Sequence, residues 1–261
     1  MAFRTRLEGT AQVRLMFHGT LTSLLRKANT DGCVMYPVGR RASIKDMAES
    51  LGVPHTEIHD LRCNGRDTDL SHLPGPGEVL ELFPASGPVD VTRTTRLRPG
   101  FSRGLRFVVD ENVAGLAPLL RGLGLDAAYN RAWSDAFLAR LAREQERVVL
   151  SRDRALLKRS CIAHGRLIRS EHPDEQLREV LNFYSLPDGA VPFSRCLRCN
   201  QPLHSVDKKR VEPLLLPRTR LYYQHFKQCP QCGRIYWPGS HQQSMRARYA
   251  ALGIGCPGES A

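Results

Sequence analysis

The alternation of apolar and polar positions divides the chain into three stretches. In the first, apolar residues recur at every second position of "AQVRLMF" (11–17), and "GCVMYPV" (32–38) reads as its hairpin partner. The spacing then becomes helical in "SIKDMAESLGV" (43–53), with Ile44, Met47, Ala48 and Leu51 on one face and Ser43 as amino-terminal cap. "IHDLRCNGRDT" (58–68) carries an Asn64-Gly65 turn signal, and "EVLELFP" (78–84) closes as a strand. In the second stretch strands and helices alternate. "LRFVVD" is a strand of the buried type, and "NVAGLAPLLRGLG" a helix with Leu116, Leu119, Leu120 and Leu123 on one face. Pro118 predicts an irregular first turn there. "LDAAY" is a second strand, "SDAFLARLAREQE" a Ser134-capped amphipathic helix, and "RVVLS" a third strand. "DRALLKR" starts another helix, "RLIRS" is a short strand, and "DEQLREVLNFYSL" is helical. Such a βαβ series predicts a parallel sheet. The third stretch holds "RCLRCNQPL" and "QCPQCGRIYWPGSH", and its tail, "LGIGCPGESA", reads as disordered.

The predicted layout is therefore a first domain over 1–92, an arginine-rich linker over 93–104, an α/β domain over 105–190, and a small cysteine-bearing unit with a tail over 191–261. The linker can touch RNA phosphates or remain a solvated tether. The order strand, strand, helix, strand, strand resembles the ubiquitin-like β-grasp and its small sulfur carriers. Carriers need a free terminal diglycine, whereas here "FPASGPVDV" follows and the chain continues, which excludes carrier chemistry. An interaction or positioning module, with a protein partner, is the expectation.

Charge sharpens this picture. The net charge of +12 is distributed as −1 over residues 1–92, +6 over 93–185 and +7 beyond. Codon bias explains 32 Arg against 6 Lys, but not a neutral first third. A field of one sign on part of a chain suits a polyanion, most simply nucleic acid. No apolar run reaches the roughly 18 residues of a membrane span. The opening "MAFRTRLEGTAQVRL" lacks the apolar core of a secretory signal, so a cytoplasmic location is expected.

Two groups of residues carry candidate chemistry. Cys196, Cys199, Cys229 and Cys232 form two C-x₂-C pairs, each followed by a residue that tolerates positive φ, Asn200 and Gly233. Two such knuckles complete a tetrahedron, and four thiolates leave no open position, so a structural Zn²⁺ is expected. Cys33, Cys63, Cys161 and Cys256 show no pairing and read as plain thiols. The second group is acidic. Ligands of an open parallel sheet gather beyond the carboxyl ends of its strands. Asp110 follows "LRFVV", Asp153 follows "RVVLS", and Asp135 opens a helix that can face the same edge. Hard ions such as Mg²⁺ or Mn²⁺ take oxygen ligands, and one or two of them there could activate water against a phosphodiester. Asp174 and Glu175, at the start of the last helix, are candidates for a fourth acid, and Glu175 is taken as catalytic. Glu111 is expected to point away.

Together, "LRFVVDENVAGLAPLLRGLGLDA", "RVVLSRDRALLKR", "EQLREVLNFYSL", "SRCLRCNQPL" and "CPQCGRIYWPGSH" resemble the Mut-seven C-terminal ribonuclease family, over roughly residues 105–248. The resemblance implies a PIN-like nuclease domain with a zinc ribbon, in some members behind a ubiquitin-like domain. It gives Asp110, Asp135 and Asp153 the places of the first three PIN acids, with Ser151 where threonine is more usual. The implied activity is metal-dependent cleavage of unpaired RNA. Arg152, Arg154, Lys158 and Arg159 flank the acids and can hold phosphates. Trp237 and Tyr236 offer stacking faces or pack a small core, and His241 can bind phosphate. The competing expectation is a non-catalytic RNA- or ribosome-binding adaptor.

Overall fold

The computed structural model describes residues 12–26, 31–38, 41–187 and 189–255; of the tail expected to be disordered, Leu252 and Ile254 instead pack against the core of the α/β unit, and the part from residue 256 onward, Cys256 included, lies outside the described residues. Strand β1 (Gln12–Phe17) pairs antiparallel with β2 (Cys33–Pro37). Helix α1 (Ile44–Ser50) starts from a reciprocal capping box between Ser43 and Asp46. Strands β3 (Asp60–Cys63) and β4 (Arg66–Asp67) are joined through Asn64 and Gly65, whose φ values of 51° and 74° make the left-handed turn that Asn-Gly favours. Strand β5 (Val79–Phe83) lies parallel to β1 and antiparallel to β3, giving the sheet order β2-β1-β5-β3-β4 of a β-grasp.

The second unit holds four parallel strands in the order β7-β6-β8-β9: β6 (Phe107–Val109), β7 (Ala127–Ala128), β8 (Val148–Ser151) and β9 (Gly165–Leu167). A 3₁₀ turn (Glu111–Val113) precedes α2 (Leu116–Gly122), so Pro118 falls in a first turn, where its missing N–H costs no helical bond. Helices α3 (Asp135–Glu144), α4 (Arg154–Leu157) and α5 (Pro173–Phe183) complete the series. Alternation along the strands divides the core. Phe107, Val109, Val148 and Leu150 pack with α2 and α5, while Val108 and Val149 turn toward α3.

That second face is shared. Val108, Leu138, Val149, Leu157 and Ile162 belong to the same buried cluster as Val13, Leu15, Met47 and Leu82 of the β-grasp. The two units are thus fused through apolar surface. The 3₁₀ turn His55–Glu57 meets the free edge of β9: Glu57 Oε1 accepts from the Leu167 N–H at 2.8 Å, and Oε2 pairs with Arg166 at 2.7 Å and Arg169 at 3.5 Å. An exposed edge strand is an aggregation hazard, and here a buried carboxylate from the other domain covers it. Glu57→Ala should destabilise the chain by about 3 kcal/mol, because it strands the Leu167 N–H and removes a buried carboxylate shared by Arg166 and Arg169. A denaturant midpoint equal to that of the wild type would refute this.

The stretch 93–104 is docked in part rather than solvated throughout, while Arg93 and Arg103 stay exposed. Val91, Phe101 and Leu105 are buried, and Arg98, 7 % exposed, donates to the carbonyls of His55, Thr56 and Ile58. Arg96 reaches Asp60 at 2.6 Å. The sequence shows only arginines with Pro and Gly; the carbonyls that satisfy them come from another domain.

Beside Arg98, His164 donates from Nε2 to the Pro99 carbonyl at 2.8 Å. Burial pushes its pKa from 6.5 down to about 4, and burial together with the Arg98 charge depresses His59 further. The unfolded chain therefore takes up protons near pH 6.5 that the folded chain refuses until about pH 4. Stability is full above pH 6.5 and falls as pH drops toward 4, His164 alone contributing up to about 3 kcal/mol. Equilibrium unfolding at about pH 7.5 and about pH 5 should show the loss, and equal stabilities would contradict it.

The last unit is a three-stranded antiparallel sheet in the order β10-β11-β12: β10 (His204–Val206), β11 (Phe226–Gln228) and β12 (Ile235–Tyr236). Between β10 and β11 lie the short helices α6 (Lys208–Val211) and α7 (Pro217–Tyr222). Helix α8 (Ser240–Ala251) returns to the α/β unit, where Tyr249 is fully buried and its hydroxyl donates to the Leu119 carbonyl at 2.8 Å. A side chain at Gly122 would meet that hydroxyl at 2.1 Å, so the glycine permits the contact. Among the described residues no helix is long and apolar enough to cross a membrane.

Candidate functional site

The carboxyl ends of β6 and β8 are adjacent, and the Ser151 hydroxyl links the Asp110 carboxylate to the backbone of Asp153. Asp110, 9 % exposed, accepts from the Glu111 N–H at 2.7 Å and from Ser151 Oγ at 2.6 Å. Ser151 Oγ in turn accepts from the Asp153 N–H at 2.8 Å, and Asp153 caps α4 by accepting from the Ala155 N–H at 2.7 Å. Asn112 closes the network, donating to Ser151 Oγ at 3.3 Å and accepting from the Arg152 N–H at 3.0 Å. Burial of an acid without such donors would be costly, so these bonds hold a carboxylate at the rim of an apolar sheet.

Asp135 is the first residue of α3, the helix that follows β7. The three aspartates are not drawn together as tightly as the cysteines. Among the described residues two groups of three or more potential ligands gather within 4.8 Å: the four cysteines, and Cys63 with His72 and Glu78. Glu175 is exposed in the first turn of α5, and its neighbour Asp174 pairs with Arg248 at 2.6 Å. Glu111 turns along the rim, accepting from the Tyr129 hydroxyl at 2.5 Å and lying 3.6 Å from Arg131.

The four basic residues part company. Arg152 stays at the rim, held by the Ser170 carbonyl and Glu171, and Arg159 is exposed. Arg154 donates to the Leu24 carbonyl at 2.7 Å and Lys158 to the Glu49 carbonyl, so both face the β-grasp. Helical spacing alone could not say which side another domain would cover.

The cysteines form two matching knuckles. The Asn200 N–H donates to the Cys196 carbonyl at 2.9 Å and the Gly233 N–H to the Cys229 carbonyl at 3.0 Å, with φ values of 68° and 69° at Asn200 and Gly233. The Cys196 and Cys232 sulfurs are 3.7 Å apart. Tetrahedral bonds of 2.3 Å to zinc imply roughly 3.8 Å between sulfurs, so the spacing suits that ion. Burial raises a thiol's pKa, yet the Tyr236 hydroxyl and the backbone N–H groups of Cys199 and Arg198 hold Cys196 at about 7. Burial and the neighbouring sulfurs push Cys199 up to about 12. A cation is what would let all four ionise together.

Around this cluster are residues that the spacing of cysteines did not reveal. Arg121, buried in α2, donates to the Leu197 and Arg198 carbonyls at 2.8 and 2.9 Å. The Asn200 side chain accepts from the Ala127 N–H at 3.0 Å and donates to Asp126 at 2.7 Å. Burial alone would raise Asp126, but Arg147 at 2.6 Å and the Asn200 amide outweigh it and hold the carboxyl below its usual range. The ribbon is thereby bolted to the edge strand β7. Tyr236, expected as a stacking face or core packing, accepts from the Leu197 N–H at 3.1 Å.

Between the ribbon, the amino end of α2 and α8 runs a cleft of about 1190 Å³. Arg195, Arg198, Lys208, Lys227, Arg234 and Arg246 line it, and its one acid, Asp207, is engaged in capping α6. His241 is an exposed wall residue, and Trp237, packed near Phe226 and Tyr223, forms an edge.

Residues 105–249 match the family model described as Mut7-C RNAse domain, and residues 10–90 match Mut7-C ubiquitin. The chain belongs to the Mut7-C RNAse family. Its second unit is thus a nuclease-type domain, and its first the ubiquitin-like domain of the same family. Neither the curated proteins nor the solved structures contain a match.

Proposed function

We propose that this Mut7-C chain is a metal-dependent ribonuclease that hydrolyses phosphodiester bonds of unpaired RNA at the rim of the parallel sheet. The observation that carries the reading is the Asp110–Ser151–Asp153 linkage across adjacent strand ends, in a chain whose nearby cleft is lined by cations. Asp110, Asp135 and Asp153 would hold Mg²⁺ or Mn²⁺, with Glu175 as the fourth acid. A hard divalent ion there would supply an activated water and charge stabilisation for the leaving oxygen. Ser151 fixes the orientation of Asp110. Arg152 and Arg159 meet phosphates near the rim, and the cleft with Trp237 and His241 guides the strand. Arg154 and Lys158 serve domain docking in this reading.

The cysteine cluster would bind Zn²⁺ and act structurally, since four thiolates leave no place for water. The β-grasp keeps the outer face of its sheet, with Arg14 and Arg62 exposed, for a protein partner. Reduced thiols and an RNA substrate suit the cytoplasm.

The test is cleavage of a labelled unpaired RNA by the purified full chain with Mn²⁺. Cleavage should vanish in the double variant Asp110→Asn with Asp153→Asn, while RNA binding persists. Binding without cleavage by the wild type would favour the adaptor instead.

A further inference from the structure

The β-grasp carries a second set of metal-ligand chemistry, remote in sequence from the ribbon. Cys63 ends β3, Glu78 immediately precedes β5, and His72 lies on the loop between β4 and β5. The Cys63 sulfur, a His72 ring nitrogen and a Glu78 carboxylate oxygen all lie within 4.8 Å of one another. His72 Nε2 stands 3.2 Å from Glu78 Oε2, to which the Gly75 N–H also donates at 2.8 Å.

Backbone pairing holds these groups in place. Cys63 is opposite Leu80 in the β3–β5 ladder, which sets its side chain beside the start of β5. The loop bearing His72 is pinned by the first turn of α1, where the Ile44 N–H donates to the His72 carbonyl and the Lys45 N–H to that of Leu70, each at 3.0 Å. The Asn64 side chain accepts from the Val79 N–H at 2.9 Å, fixing the turn next to Cys63. Ordering three ligands in advance removes much of the entropic cost of binding.

A thiol, an imidazole and a carboxylate form a mixed set that suits borderline ions such as Zn²⁺ or Co²⁺, whereas Mg²⁺ and Ca²⁺ prefer oxygen alone. Zinc bonds of about 2.0 to 2.3 Å imply ligand separations of roughly 3.3 to 3.8 Å, and the His72–Glu78 pair already approaches this. His72 and Glu78 are half-buried, so an ion can enter from solvent and keep a water. We propose that Cys63, His72 and Glu78 form a second transition-metal site of zinc type, with three protein ligands and one open position. The bound ion clamps the loop between β4 and β5 onto β3. On this proposal Cys63 is a ligand rather than the plain thiol that its lack of a sequence partner suggests.

The site is independent of the nuclease reading and is tested without an activity assay. The full-length chain, equilibrated with Zn²⁺ and desalted, is analysed for metal per protein alongside His72→Ala and Cys63→Ser. The wild type should hold one equivalent more than either variant. With Co²⁺, the difference spectrum between wild type and His72→Ala should show a sulfur-to-cobalt charge-transfer band. Because His72 is on a surface loop, its variant remains informative even if Cys63→Ser fails to fold. Equal metal content in wild type and His72→Ala, or a flat difference spectrum, would overturn the proposal.

Discussion

Replacing Asp110 by Asn is expected to lower RNA cleavage by on the order of 10³-fold and leave RNA affinity nearly unchanged. The amide is nearly isosteric, and its oxygen can still accept one of the two bonds that Asp110 now receives, from the Glu111 N–H or Ser151 Oγ. The local fold should therefore hold. What disappears is the charge. A divalent ion at the rim would contribute several kcal/mol of transition-state stabilisation, and a neutral amide in place of a central carboxylate would forfeit most of it. In the proposed function RNA affinity would rest instead on the cationic cleft, whose lining does not include Asp110. Single-turnover cleavage and filter binding on the same preparation separate the two effects. A variant that cleaves within a few-fold of the wild type would remove Asp110 from the mechanism.

Loss of metal from the cysteine cluster should have the largest structural effect. Structural zinc supplies roughly 10 kcal/mol or more of apparent folding free energy in small ribbons. The ribbon's buried apolar residues number few, chiefly Val211, Leu215 and Phe226, so little else holds it. Without metal the knuckle around Cys196 should open and release the carbonyls that Arg121 holds and the Asn200 contacts with Asp126 and Ala127. Strong chelation, or Cys229→Ser, should abolish hydrogen-exchange protection across residues 196–236 and weaken protection at β7. In Cys229→Ser the β-grasp should be spared, because its core is continuous with α3 rather than with the ribbon. RNA binding should fall with the ribbon, since the ribbon supplies much of the cleft wall. Unchanged protection at Cys196–Asn200 after complete metal removal would show that the knuckles stand by themselves.

The sequence alone determined the elements and their chemistry. Period-two and helical spacing placed β1, α1 and β5, and Asn64-Gly65 placed the hairpin turn, because these signals depend on neighbours along the chain. The paired cysteines, with Asn200 and Gly233 after them, announced a four-cysteine ribbon for the same reason: a knuckle is a local backbone shape. Asp110 and Asp153 were legible as strand-end acids from position alone. Tertiary structure decided who faces whom. It turned Arg154, Lys158, Arg96 and Arg98 from presumed phosphate ligands or solvated charges into donors to carbonyls and acids of the β-grasp and its loops. It made Ser151 the bridge between two aspartates, put Glu57 on the edge of β9, and gathered Cys63, His72 and Glu78. In each case the partner is distant in sequence, and no periodicity encodes it. A hydrogen bond or an ion pair depends on a few ångströms of approach, and only the packed chain sets that distance.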